Sequence, residues 1–133
     1  MIHESGKEED LVYIGILPSG GKLIVNKVAA EADLLISEGF IEPHFFAGFS
    51  GGRKSVLPGI SSRTTVLANH CSAFIADPYS RAGSLDKNPM HKDMLWAAEA
   101  VHLQFICNVL LDADKKVIAA YAGHLNNAHR KGC

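Results

Sequence analysis

Asp33-Leu34-Leu35-Ile36-Ser37 is a short, almost unbroken apolar run. Glu38-Gly39 follows it, and then the glycine-rich stretch Glu42-Pro43-His44-Phe45-Phe46-Ala47-Gly48-Phe49-Ser50-Gly51-Gly52-Arg53-Lys54-Ser55. A run without polar alternation reads as a strand covered on both faces, the habit of central strands in parallel sheets. Glu38-Gly39 is expected to end it. In open α/β sheets ligands gather beyond the carboxyl ends of strands, which is where the glycine-rich stretch falls. The expected fold class is therefore α/β, a Rossmann-like three-layer domain.

Upstream, Leu11 to Leu17 reads as a strand closed by Pro18-Ser19-Gly20-Gly21, and Leu23-Ile24-Val25 as a second extended piece. Asn26 is a helix cap for Lys27 to Ala32. Downstream, Ser61 to His70 reads as a capped helix with His70 near its end, and Ala76-Asp77-Pro78-Tyr79 breaks the chain. Asn88-Pro89 starts a helix, with proline at its first position. Met90, Met94, Leu95, Ala97, Ala98 and Val101 continue it at helical spacing. Leu103 to Leu111, the turn Asp112 to Lys116 and Val117 to Tyr121 form an antiparallel hairpin. Gly123 to Gly132 is expected to be a last, polar helix.

At 133 residues the chain is one domain at most, and it is long enough to bury its own core. The division expected is a polar tail over residues 1–10 and a domain over residues 11–133. The net charge of −1 and scattered basic residues exclude an electrostatic nucleic-acid footprint. No apolar run is long enough to cross a bilayer. The N-terminus is polar and acidic, unlike a leader peptide, so a cytoplasmic location is expected. Cys71, Cys107 and Cys133 are widely spaced, which indicates neither a disulfide framework nor a cysteine zinc site. Cys107, within an apolar run, is expected to be a buried hydrophobe.

The chemistry concentrates in His44, Lys54 and His70. Gly48 to Ser55 is not a phosphate loop of the Walker type, because Arg53 stands where glycine must precede Lys-Ser. Gly51 and Gly52 would still let backbone N–H groups approach an anion, although a plain tight turn uses the same residues. His44 is a candidate for proton transfer near neutral pH. The Arg53 cation beside Lys54 favours a free amine and covalent chemistry. His70 alone is no metal site unless a cofactor brings the other ligands. Taken singly, each of the three is explained better by a loop histidine, a surface lysine or a helix-end histidine. His91, with a face to solvent, His102, His124 and His129 are expected to be structural, and Asp112 and Asp114 to shape a turn.

The segments Glu42 to Lys54, Leu57-Pro58-Gly59-Ile60 and Ala68-Asn69-His70 closely resemble the nickel-dependent lactate racemase family. So do Arg81-Ala82-Gly83, Asp86 to His91 and Ala128 to Cys133. Lys54 follows His44 by ten positions and His70 follows Lys54 by sixteen, as in that family. The resemblance runs from about Leu11 to the C-terminus. It implies part of a racemase N-terminal domain, and a 2-hydroxyacid racemase or epimerase using a nickel-pincer nucleotide (pyridinium-3-thioamide-5-thiocarboxylic acid mononucleotide). By the matching positions, Lys54 resembles the lysine joined to the cofactor through a thioamide. His70 resembles the histidine that completes the nickel coordination, and His44 one of two acid–base histidines. Gly51 and Gly52 join the cofactor-binding set.

The family is about three times longer. Its other acid–base histidine lies upstream of the matched part, and its substrate-binding residues lie downstream. The expected function is therefore that of a fragment carrying the cofactor-attachment part of the enzyme, without turnover in isolation. The alternatives are a stand-alone nickel- or nucleotide-binding module and an inactive remnant. The expected partners are a small 2-hydroxyacid and, through an exposed sheet edge, a second copy; neither nucleic acid nor membrane is expected.

Overall fold

The structure, a computed structural model, describes residues 2–133. Strands β1 (Leu11–Ile16) and β2 (Lys22–Asn26) form an antiparallel hairpin through the Pro18 to Gly21 turn. Asn26 then caps the short helix α1 (Lys27–Ala30), its side chain accepting from Val28 N–H. Next come β3 (Leu35–Phe40) and a two-residue pair, β4 (Pro43–His44) and β5 (Gly48–Phe49). A 3₁₀ turn spans Gly52–Ser55.

Helix α2 (Arg63–Asn69) is capped by Ser62 and ends at His70; α3 (Ser72–Ile75) is a single turn. Helix α4 (Pro89–Ala100) starts as its sequence requires, with the Asn88 side chain accepting from Met90 and His91 N–H and Pro89 at the first position. Strands β6 (Leu103–Leu111) and β7 (Val117–Gly123) and helix α5 (Leu125–Gly132) complete the chain. The polar N-terminal segment is tied to the body: the His3 ring lies 3.0 Å from Ser61 O, and Arg63 N–H donates to Ser5 O.

The main sheet has the order β3-β6-β7, with β3 parallel to β6 and β7 antiparallel to it. One core lies beneath it, built from Leu17, Leu23 and Val25 of the first hairpin, Met90, Met94, Ala97 and Ala98 of α4, Ile106 of β6 and Leu125 of α5. These side chains are essentially inaccessible, and burial of each large one stabilises the fold by about 1.5–3 kcal/mol. The outer face of the sheet carries no helix among the described residues.

The mixed α/β class holds, and the structure corrects four details. Strand β3 is parallel to its neighbour but lies at the sheet edge, with Ile36 59% exposed and Leu34, just before it, 65%. It runs through Glu38-Gly39 to Phe40, because Glu38 and Gly39 pair with Cys107 and Asn108 of β6. Cys107 is exposed, since it falls on the outer face, whereas its neighbour Ile106 points inward. Helix α5 is not polar throughout: Leu125 and Ala128 are buried in the core, and His129 is buried against the glycine-rich loop.

Candidate functional site

The three candidate residues come from three separate elements. His44 ends β4 and pairs with Gly48 across the three-residue turn Phe45-Phe46-Ala47. Lys54 sits in the 3₁₀ turn, and His70 caps the C-terminus of α2. The fold brings them to one aromatic ring. The imidazole of His44 lies 4.6 Å from the Phe46 ring centre, that of His70 5.3 Å, both edge-on, and Lys54 Nζ is 6.0 Å from it. Phe45, largely exposed, stacks on His44 at 4.7 Å and meets the Phe46 ring edge-on at 4.4 Å.

Two carbonyl-and-amide contacts fix the tautomers. His70 Nδ1 lies 3.2 Å from Val66 O; a carbonyl only accepts, so Nδ1 carries the proton and the Nε2 lone pair is left uncommitted. Ala47 N–H donates to His44 Nδ1 at 3.3 Å, so neutral His44 carries its proton on Nε2.

Burial and mutual repulsion disfavour the charged form of all three groups. Partial desolvation, then the Lys54 and Arg53 charges, hold His44 below the ordinary imidazole value. Desolvation lowers His70 as well, with the Val66 hydrogen bond opposing and Lys54 assisting. Lys54 is pushed down to about 8, chiefly by burial and secondly by Arg53.

Arg53 is the framework of the loop. It is 1% exposed, and no carboxylate pairs with it among the described residues. Its guanidinium instead donates to Ala47 O (2.7 Å), Phe49 O (2.8 Å) and, through Nε, to His91 Nδ1 (3.0 Å). His129 Nε2 lies 2.8 Å from Ser50 O and 3.0 Å from Arg53 Nη1; with its proton on Ser50 O it cannot also accept from Arg53. Burial lowers Arg53 only to about 10, so it is charged at neutral pH. His91 is thus buried, not turned to solvent, because the arginine requires an acceptor at the start of α4. Desolvation, then Arg53, presses His91 to about 3 and His129 to about 4.

Glycine is required where this frame is tightest. Gly52 has φ 53°, and a Cβ there would sit 2.7 Å from the His129 ring. Its N–H donates to Asn108 Oδ1 at 2.8 Å, so that group is engaged within the protein. On the other side, Asn88 Nδ2 donates to Phe46 O at 2.8 Å and anchors the aromatic turn to α4. Phe46, Asn88 and Asn108 are parts of the site that the sequence reading did not single out. Only Asn88 carried a local signal, as the cap before Pro89.

Among the described residues no three His, Cys, Asp or Glu side chains converge as a metal site. The protein therefore offers a metal ion here one nitrogen, His70 Nε2. That donor set fits an ion whose other ligands belong to an organic group held at Lys54, and does not fit a bare ion.

The fold and site define a mixed α/β domain whose glycine-rich loop gathers two neutral imidazoles and a half-buried amine. Residues 1–83 match the family described as lactate racemase N-terminal domain, and the chain belongs to that family. It is 59% identical to lactate racemase of Thermoanaerobacterium thermosaccharolyticum and 60% identical to that of Lactiplantibacillus plantarum, in each case over all of this chain. It spans 31% of the length of each. The solved structure of the T. thermosaccharolyticum lactate racemase apoprotein superposes with a TM-score of 0.99 over the whole chain, which covers 32% of that structure. A Thermotoga maritima protein, 29% identical, superposes with a TM-score of 0.81 over 98% of the chain, covering 37% of it.

Proposed function

We propose that this chain is the cofactor-attachment part of a 2-hydroxyacid racemase of the lactate racemase type, an isomerase fold unit incomplete for turnover by itself. The observation that carries the reading is the convergence of His44, Lys54 and His70 on Phe46, within a chain 59–60% identical to lactate racemases. Lys54, with its depressed pKa, is the nucleophilic amine suited to a covalent tether. His70 Nε2 is the protein's nickel ligand, and the Val66 hydrogen bond holds the ring in the ligating tautomer. Gly51 and Gly52 let the chain turn at φ 74° and 53° directly before the tether while packed on Asn108 and His129. A nickel-pincer nucleotide held there would supply the reversible hydride acceptance that lets the carbon centre of a 2-hydroxyacid pass through a planar state.

His44 exchanges the hydroxyl proton at Nε2. In the conformation seen, Nε2 bears the proton, so the neutral ring is set to donate. To accept a proton there, it must carry its own on Nδ1, which breaks the 3.3 Å contact with Ala47 N–H. That change leaves the buried Ala47 N–H without its acceptor, at a cost of about 1–3 kcal/mol, so the donating state is the resting one. The enzyme acts on a small acid in solution, and no described helix is long and apolar enough to cross a membrane; a cytoplasmic location goes with this reading. Self-association through the open β3 edge is part of the proposal.

His70→Ala should abolish stoichiometric nickel in protein made by a host that synthesises the cofactor, with the Lys54 adduct retained. Unchanged nickel by elemental analysis would remove His70 from the ligand set. The second reading, a nickel- or nucleotide-binding module without turnover, shares these residues. It is favoured by the lone metal ligand and is distinguished by activity once the rest of a racemase polypeptide is present.

A further inference from the structure

The outer face of the main sheet has no role in the site just described. It is lined by Ile36 and Phe40 of β3, Phe105 and Cys107 of β6, and Ile118 and Ala120 of β7, all exposed. Register places them side by side: Ile36 opposite Phe105, Glu38 opposite Cys107, Phe40 opposite Val109, and Val109 opposite Ala120. Ile36 is 59%, Phe105 44% and Ile118 64% accessible, and Glu38 is the one charge within the patch. A contiguous apolar face of this kind marks a docking surface. Sheets of parallel strands occur almost only with both faces covered, and β3 with β6 is the parallel part of this mixed sheet. Here α4 and α5 cover the inner face and leave the outer one bare.

We infer that this outer face is the docking surface for the remainder of a lactate racemase polypeptide, the part that surrounds the matched third in its relatives. The occupant follows from two facts. The same sheet, at a TM-score of 0.99, lies within a polypeptide of which this chain covers only 32%. The additional chain there packs on surface that this third leaves open, and this face is a contiguous apolar part of that surface spanning all three strands of the main sheet. A second copy of the chain is the competing occupant. The inference rests on family membership and not on the cofactor reading, and its test involves neither nickel nor nucleotide.

Cys107 is a natural reporter, being exposed at the centre of the face. Maleimide labelling, mapped by peptide mass, is compared between the 133-residue chain alone and the T. thermosaccharolyticum relative with its matched third replaced by this chain. The expected result is rapid labelling of Cys107 in the isolated chain, independent of protein concentration, and labelling slowed about tenfold or more in the chimera. Equal rates in both would overturn the inference. So would an isolated chain that dimerises and shields Cys107 as concentration rises, with Phe105→Lys restoring the monomer. If the chimera aggregates, the two pieces are coexpressed as separate chains. Copurification with Cys107 shielded, lost on Phe105→Lys, supports the inference, and a freely labelled chain that does not copurify contradicts it.

Discussion

Lys54 should titrate far below an ordinary lysine, and the structure says which force is responsible. Its amine falls from 10.5 to about 8, with burial the larger cause and the Arg53 charge the smaller. At pH 7 this leaves about one amine in ten unprotonated, against roughly one in 3,000 for an unshifted lysine. The Phe46 ring acts in two opposed ways. As a π face 6.0 Å from Nζ it favours the cation, but at that range by about 0.5–1 kcal/mol, less than one pKa unit. As a hydrophobic cover it favours the neutral amine, and burial is the larger cause of the depression. Phe46→Ala should therefore move the Lys54 midpoint up toward 10.5. Salt at about 1 M, which screens Arg53 but does not rehydrate the amine, should move it less. The assay is competitive reductive methylation across pH 6–11 with peptide mapping, Lys116 serving as the exposed control. A wild-type midpoint above 10, or a Phe46→Ala midpoint unchanged from wild type, would refute the reasoning. In stability terms the buried amine is a penalty below pH 8, relieved as pH rises from 8 toward 10.5, because there the unfolded chain binds more protons.

Gly52→Ala must adopt φ 53° and press its Cβ on the His129 ring, so it should cost about 2 kcal/mol or more, several degrees in melting temperature. Gly6→Ala, with nothing within 4 Å, is the control and should fall within about 0.5 kcal/mol of wild type; equal melting temperatures for the two variants would contradict the packing described. Acid should unfold the protein early. His91 and His129, held near 3 and 4 in the fold and near 6.5 when unfolded, contribute stability that is complete above pH 6.5 and lost as pH falls toward 3. Urea midpoints between pH 7 and 4.5 should drop in the wild type and drop less in His129→Gln, and parallel slopes would count against the buried histidines as the cause.

Local signals in the sequence survived into the structure where a single residue settles a local hydrogen bond. Asn26 and Asn88 start the helices they were expected to start, the helix expected from Ser61 to His70 is capped by Ser62, and Asp112 shapes the β6–β7 turn by accepting from Asp114 and Lys116 N–H. What failed was everything that depends on the far side of an element. The apolar run at Asp33 to Ser37 looks the same whether its outer face is covered or bare, and Cys107 looks the same pointing in or out. His91 and Arg53 carry no local sign that they meet, since they are 38 positions apart and join through the tertiary fold. The three site residues were legible only together, by their spacing within a long motif; Phe46, the ring on which they converge, was legible only in three dimensions.

The most direct test of the central claim is an intact mass spectrum of this chain, made in a host that synthesises the cofactor, followed by peptide mapping. The account predicts one covalent adduct, located at Lys54 and absent from Lys54→Ala. An unmodified mass in protein whose host loads a full-length racemase, or an adduct that persists in Lys54→Ala, would contradict it.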